Sequence, residues 1–250
     1  MSGHSKWHSI KHKKGAADAK RGKIFTMHSK LITIAAKEGG GDPEMNSSLR
    51  TAIDNAKSAN MPNANIDKAI KRGTGELKDA AIFEEVMYEG YGPAGIAVYV
   101  QTLTDNKNRT VANVKSVFTK NGGNMGQAGS VGYLFHKKGR IVVKANADKF
   151  DDVELAAIDA GAEDIVRGDD MIEVYTGPGD LHAVKKGLED AGFEIESSEL
   201  TYEPENTVEV ADEDKARKIL KFMEALEEDD DVSNVFSNFD ISDEVMGKLA

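Results

Sequence analysis

Residues 139–201 read as strand, helix, strand, strand, helix, strand, and few folds accommodate that order. Residues 141–144 form the first strand. Phe150, Val153, Ala157 and Ala160 mark a helix face that ends at Gly161. Residues 163–167 and 171–175 are strands around Gly168-Asp169-Asp170, a hairpin signal. Leu181, Val184, Leu188 and Ala191 mark a second helix ending at Gly192, and residues 193–198 close the unit. This βαββαβ order is the ferredoxin-like pattern and defines a unit over residues 139–204. Residues 159–163 (Asp-Ala-Gly-Ala-Glu) recur as 190–194 (Asp-Ala-Gly-Phe-Glu). A helix ending in Ala-Gly is common, so this echo does not establish a duplication.

The flanks are organised differently. In residues 22–38, Ile24, Met27, Leu31, Ile34 and Ala35 recur at helical spacing, and Gly39-Gly40-Gly41-Asp42-Pro43 stops the helix. A second helix covers 46–59 with Leu49, Ile53 and Ala56 inward. A third covers 66–72, with Gly73 expected as the left-handed residue that closes it. Together these make a helical domain over 22–78. Residues 83–88 and 96–103 read as strands joined by a turn-rich segment. Residues 109–120 form a helix with Val111, Val114 and Phe118 inward, 121–130 a glycine-rich loop, and 131–135 a strand. Beyond the ferredoxin-like unit, a strand at 207–210, a helix at 212–227 and a strand at 232–239 have no partners of their own. They are therefore paired with the earlier strands, giving a discontinuous α/β domain of 79–138 and 205–250. The expected class is α+β, with the ferredoxin-like unit inserted in the middle domain.

Charge is divided as sharply as the fold. The net charge is −11. Residues 1–72 nevertheless carry 14 Lys/Arg against 6 Asp/Glu, and the remaining 178 residues carry 18 against 37. A basic end on an acidic body suggests a polyanionic partner. Residues 1–21 read as a flexible basic arm with Lys6, Lys11, Lys13, Lys14, Lys20 and Arg21. Trp7, flanked by cations, could stack on a base or pack on the helical domain. On the third helix, Ile66, Ala69 and Ile70 cluster on one side, and Lys68, Lys71 and Arg72 on the other. Arg50 and Lys57 share a stripe on the second helix, and Lys23, Lys30 and Lys37 share one on the first. Cations presented this way neutralise phosphates and release counterions. With ~5 contacts, log K would fall with log salt at a slope of about −4 to −5.

Other chemistries lack their residues. Cysteine is absent, which removes disulfides, thiolate metal sites and a cysteine nucleophile. His4, His8 and His12 have helical spacing for a metal face, but they fall in the basic arm, which lacks a helix signal. The loop 121–130 lacks the Gly-Lys-Ser/Thr of a phosphate-binding loop and reads as a structural turn. Hydrolase, zinc-protease, nucleotide-binding and dinucleotide-binding signatures are missing, so no enzymatic activity and no cofactor are expected. Residues 84–85 and 227–231 read as solvated acids. No apolar run reaches the ~18 residues of a membrane helix, and no secretory signal is visible.

Two sets of motifs carry a resemblance. The first is His4-Ser5-Lys6-Trp7, Gly40-Gly41-Asp42-Pro43, Asn60-Met61-Pro62 and Ile70-Lys71-Arg72-Gly73-Thr74-Gly75. The second is Tyr88-Glu89-Gly90-Tyr91-Gly92-Pro93, Thr104-Asp105-Asn106-Lys107-Asn108-Arg109-Thr110 and Gly129-Ser130-Val131. In this order, over essentially the whole chain, they resemble the YebC family, which includes the mitochondrial translational activator of cytochrome c oxidase subunit I. Ala94 and Met125 depart from the glycine and leucine expected there. The resemblance implies three domains, a helical one and two α/β ones, in a cytoplasmic protein that is not an enzyme. Many members carry the label of DNA-binding transcriptional regulator. Others look like translation factors that help the ribosome through consecutive prolines. The motif at the start of the chain, with no transit peptide before it, makes the sequence look bacterial. Expected partners are therefore DNA or ribosomal RNA, with the ribosome as a candidate and no membrane. On the RNA reading, residues 89–95 and 104–110, which include Arg109, reach the nucleic acid. A protein-interaction scaffold is the reading from a different class. The sequence leaves the oligomeric state open.

Overall fold

The computed structural model describes residues 17–77, 81–168 and 170–249, with the side chains of residues 17–21 and 243 outside that description. Three helices come first: α1 (Ala17–Gly39), α2 (Ser47–Ser58) and α3 (Asn63–Gly73). Ile32, Ala36, Leu49, Ile53, Ala56, Ile66 and Ala69 form their common core. Asn46 caps α2 by accepting the Leu49 N–H (3.0 Å) and donates to the carbonyls of Ala35 (2.8 Å) and Gly40 (2.9 Å). One buried amide thus ends α1 and starts α2.

Three expectations change here. Residues 17–21, expected in the arm, belong to α1. The inward face of α1 is not the stripe through Ile24, Leu31 and Ile34. Ile24 is 39% exposed, whereas Lys30, Ile32, Thr33, Ala35 and Ala36 are buried. Between residues 30 and 36 no side chain is exposed, so this stretch is enclosed on most sides and no single stripe describes it. Finally, Gly73 does not close α3. Gly75 does, at φ 79°, with the Glu76 N–H bonded to the Lys71 carbonyl (3.0 Å), as in a Schellman end. Gly73 lies inside the helix, where a Cβ would sit 2.4 Å from the Thr33 carbonyl oxygen and 2.7 Å from the Ala36 Cβ. It is glycine because α1 and α3 touch there.

The chain continues with β1 (Glu84–Tyr91), β2 (Ala97–Thr104), α4 (Lys107–Lys120) and β3 (Asn124–Met125). The next run is β4 (Phe135–Lys144), α5 (Phe150–Ala160), β5 (Asp164–Arg167), β6 (Met171–Thr176), α6 (Leu181–Asp190) and β7 (Glu194–Pro204). Last come β8 (Val208–Val210), α7 (Glu213–Glu227), β9 (Val232–Ser237), β10 (Phe239–Ile241) and α8 (Asp243–Leu249). These residues divide into two compact units. One joins residues 24–78 with 137–203. The other joins 79–136 with 204–250 and includes the described residues up to Lys23.

In the first unit the sheet order is β5-β6-β4-β7, the ferredoxin-like arrangement, with antiparallel β4–β6 and β5–β6 pairs. Ile141, Val143, Ile172 and Val174 pack under Val153, Ala157, Val184 and Leu188 from α5 and α6. Arg140 on β4 is ion-paired with Glu173 on β6 and bonded to Glu199 on β7 (3.1 Å). The Tyr175 hydroxyl donates to Glu173 (2.8 Å).

In the second unit β3, β1, β2 and β9 form one antiparallel sheet. Strand β9 comes from beyond the ferredoxin-like segment, so that segment is an insertion in the domain β1 begins. Val98 and Val100 pack with Val114 and Phe118 of α4 and with Ile219, Phe222 and Leu226 of α7. The Phe118 and Phe222 rings meet edge to face at 5.0 Å. β8 and β10 form a small parallel pair, and α8 adds Val245 and Met246 to the core. The 131–135 strand is instead a 3-10 turn over Gly132–Leu134 that leads into β4. The fold is α+β in three domains, a helical one and two α/β ones, the last ferredoxin-like and inserted in the middle one.

Candidate nucleic-acid interface

The cations of α2 and α3 stand where a phosphate could reach them. Ile66 and Ala69 pin α3 to the helical core. That leaves Lys68 and Lys71 exposed and Arg72 half-buried at the edge. On α2, Leu49, Ile53 and Ala56 are buried and Lys57 is exposed. Among the described residues, Lys57, Lys68, Lys71 and Arg72 make no ion pair. Exposed lysines elsewhere are mixed: Lys107 pairs with Glu84 (2.9 Å) and Lys144 with Glu194 (2.8 Å), whereas Lys115, Lys120 and Lys186 make no ion pair among the described residues. Lys71 and Arg72 also favour the C-terminal end of the α3 dipole.

Four expected cations are employed otherwise. Lys30 is only 7% exposed, because it lies in the enclosed stretch of α1. Lys23 directs its ammonium at the carbonyls of Glu227 and Asp229, the latter at 2.8 Å. Arg50 is half-buried, and its Nη2 reaches back to the Glu44 carbonyl (3.4 Å). Arg109 is bound to Asp231 through Nε (3.1 Å) and Nη2 (2.7 Å), and to Asp105 (2.9 Å). These pairs hold its pKa above the usual value. Lys6, Trp7, Lys11, Lys13 and Lys14 lie outside the described residues, as do the side chains of Lys20 and Arg21.

The motif 104–110 has a structural explanation. The Asn106 side chain caps α4 by accepting the Arg109 N–H (3.1 Å), and Thr104 Oγ1 accepts the Asn106 N–H (2.9 Å). Asp231 Oδ2 gathers Arg109 and the Thr110 hydroxyl (2.9 Å). Asp231, read from sequence as a solvated acid, is 6% exposed. It lies 121 residues from Thr110, so no local pattern reveals the pairing.

Glu89 was equally hidden. Its carboxylate, 8% exposed on β1, accepts the N–H groups of Gly129 (2.8 Å), Val131 (2.8 Å) and Gly132 (2.7 Å). Its backbone carbonyl accepts the Gly126 N–H (2.7 Å). Burial pushes its pKa up, but the backbone donors outweigh burial and hold it below the usual carboxylate value. The glycine loop is thus an anion-binding nest that the protein fills itself, so these N–H groups are not spare for phosphate.

Among the described residues, no cluster of His, Cys, Asp and Glu could hold a metal ion, and no helix is long and apolar enough to cross a membrane. The set His4, His8 and His12 lies outside them.

Fold and surface together define a three-domain α+β protein whose helical domain carries unpaired cations. Residues 5–76 match the TACO1/YebC N-terminal domain, and residues 83–239 match the TACO1/YebC second and third domain. A protein of Halothermothrix orenii is 52% identical over 251 residues, covering 100% of this chain and 99% of its own length. One of Acidithiobacillus ferrooxidans is 57% identical over 249 residues, covering 100% and 98%. Both are called probable transcriptional regulatory proteins. The crystal structure of a conserved hypothetical protein from Aquifex aeolicus superposes with a TM-score of 0.89 at 48% identity, covering 95% of this chain and 97% of that one. The chain belongs to the TACO1/YebC family.

Proposed function

We propose that the protein is a cytoplasmic nucleic-acid-binding regulator of gene expression that acts by binding and catalyses no reaction. The observation that carries this reading is the exposed, unpaired set Lys57, Lys68 and Lys71, with Arg72 beside it, on a chain of net charge −11. They lie in the basic stretch 1–72, which carries 14 Lys/Arg against 6 Asp/Glu, and exposed cations there suit an external polyanion, with counterion release supplying the affinity. The name carried by the relatives supports transcription, with duplex DNA as the ligand. In that case α2 and α3 rest against phosphates, and specificity comes from DNA shape or from a partner.

A second reading is a ribosome-associated factor that binds ribosomal RNA and relieves stalling. It is favoured by the glycine loop 121–130, which Glu89 holds in one shape and which carries no charged side chain of its own, a surface suited to unpaired bases. Cross-linking in living cells, with both RNA and DNA sequenced, separates the two. Promoter DNA supports the transcriptional reading. Reads concentrated in ribosomal RNA support the ribosomal one. Recovery of neither leaves a protein-interaction scaffold and ends the nucleic-acid reading.

A further inference from the structure

We propose that residues 126–133 form a stacking platform for one unpaired nucleobase, with Tyr133 as its surface. This deepens the nucleic-acid reading and rests on it.

Tyr133 is 67% exposed, while its neighbours Gly132 and Leu134 are half-buried and the residues two positions away on either side are buried, Val131 at 0% exposed and Phe135 at 6%. The turn that carries it is anchored at each end. The Gly132 N–H is held by Glu89, and the Leu134 carbonyl accepts the Glu205 N–H (2.8 Å). The Leu134 N–H returns to Val131 (2.9 Å). Tyr91, 41% exposed, donates its hydroxyl to the Ser130 carbonyl (3.3 Å) and braces the same loop from β1. The ring of Tyr133 has no ring partner among the described residues. A large aromatic held outward between buried residues loses little conformational freedom when a flat partner covers it.

The surroundings indicate what that partner is. Residues 121–135 contain no charged side chain, in a chain where 30% of residues are charged. Residues 90–104 contain none either. A phosphate finds no cation here, and its natural donors are already bound to Glu89. The exposed carboxylate at hand is that of Glu205, which faces His136 (3.8 Å) and would repel a phosphate or an acidic peptide. A nucleobase needs only a π-face and nearby amide groups, and Gln127 and Asn124 are both exposed. Bases inside a duplex offer no free face, so the platform takes bases in loops, bulges or single strands.

The test uses the full chain and three probes: an RNA hairpin with a fluorescent purine analogue in its loop, the DNA hairpin of the same sequence, and a blunt duplex. With the wild type, loop fluorescence changes on binding. Tyr133→Ala should weaken hairpin binding about five- to a hundredfold and abolish the change. Duplex affinity and thermal stability should stay as in the wild type, and Tyr133→Phe should keep the signal. Tighter RNA-hairpin binding points to RNA as the source of the base, and equal binding to either nucleic acid. Wild-type hairpin affinity in Tyr133→Ala overturns the platform and leaves the cationic surface standing. If the wild type binds none of the probes, the nucleic-acid reading falls first.

Discussion

The side-chain amide of Asn55 on α2 pairs with the backbone of Ser198 on β7 in both directions, donating to its carbonyl (2.6 Å) and accepting its N–H (3.1 Å). β7 is an edge strand of the ferredoxin-like sheet, and an open edge is a template for unwanted pairing. Here a helix supplies the missing peptide-like partner. Next to it, Lys185 of α6, 8% exposed, pairs with Asp54 (2.8 Å). Asn55→Ala leaves two backbone groups of Ser198 without those partners and should cost about 1–3 kcal/mol. Urea unfolding of the full chain reads that loss directly.

Gly73→Ala separates sequence reasoning from structure. Intrinsic propensity favours alanine inside a helix by about 1 kcal/mol. The Cβ would stand 2.4 Å from the Thr33 carbonyl oxygen, so α1 and α3 must part. The expected outcome is a net destabilisation of about 1–3 kcal/mol, checked by thermal melting. A more stable variant would show that the helices do not touch there.

That position also shows how much was legible. Hydrophobic spacing located the first helices and the ferredoxin-like order, and elimination returned strand 232–239 to the first sheet, where β9 lies, whereas 207–210 pairs with β10 instead of the earlier strands. The first helices and the ferredoxin-like order depend on periodicities that survive in one dimension. Gly73 was misread because a glycine near a helix end looks the same whether it turns the chain or admits a neighbouring helix. Lys30 was misplaced because α1 is enclosed on most of its sides, where no polar face remains to be read. Arg109 and Asp231, or Glu89 and Gly129, are joined across 122 and 40 residues, beyond any local pattern. The helix α8 was missed because seven residues, one of them Gly247, give too few turns for a period.

Glu89→Gln tests the loop. The amide keeps the shape but replaces one acceptor oxygen with a donor that faces backbone N–H groups. The expected cost is about 2–4 kcal/mol, with faster hydrogen exchange at Gly129, Val131 and Gly132. The folded pKa of Glu89 is below its ordinary 4.5, so its contribution is present above that pH and is lost as pH falls through the folded value. The variant should therefore lose stability at neutral pH and lie closer to the wild type in acid.

Glu203 behaves in the opposite sense. Burial, with Glu173 and Asp164 nearby, raises its pKa to about 7 against the pull of Arg140 and Lys138. The folded state then holds a proton the unfolded chain has lost. Its contribution is full below 4.5 and disappears as pH rises through about 7. Glu203→Gln should stabilise the protein above pH 7 by about 1–2 kcal/mol and flatten its stability between those values. Unfolding at a series of pH values checks both.

The most direct measurement for the nucleic-acid reading is the salt dependence of nucleic-acid binding, compared between the wild type and Lys68→Ala/Lys71→Ala/Arg72→Ala. The side chains are exposed or half-buried, so the fold should persist. Three lost phosphate contacts should weaken binding at low salt and flatten the slope of log K against log salt by about 2 to 3 units. An unchanged affinity and slope in a folded variant would contradict the account, because the cations on which it rests would then touch no phosphate.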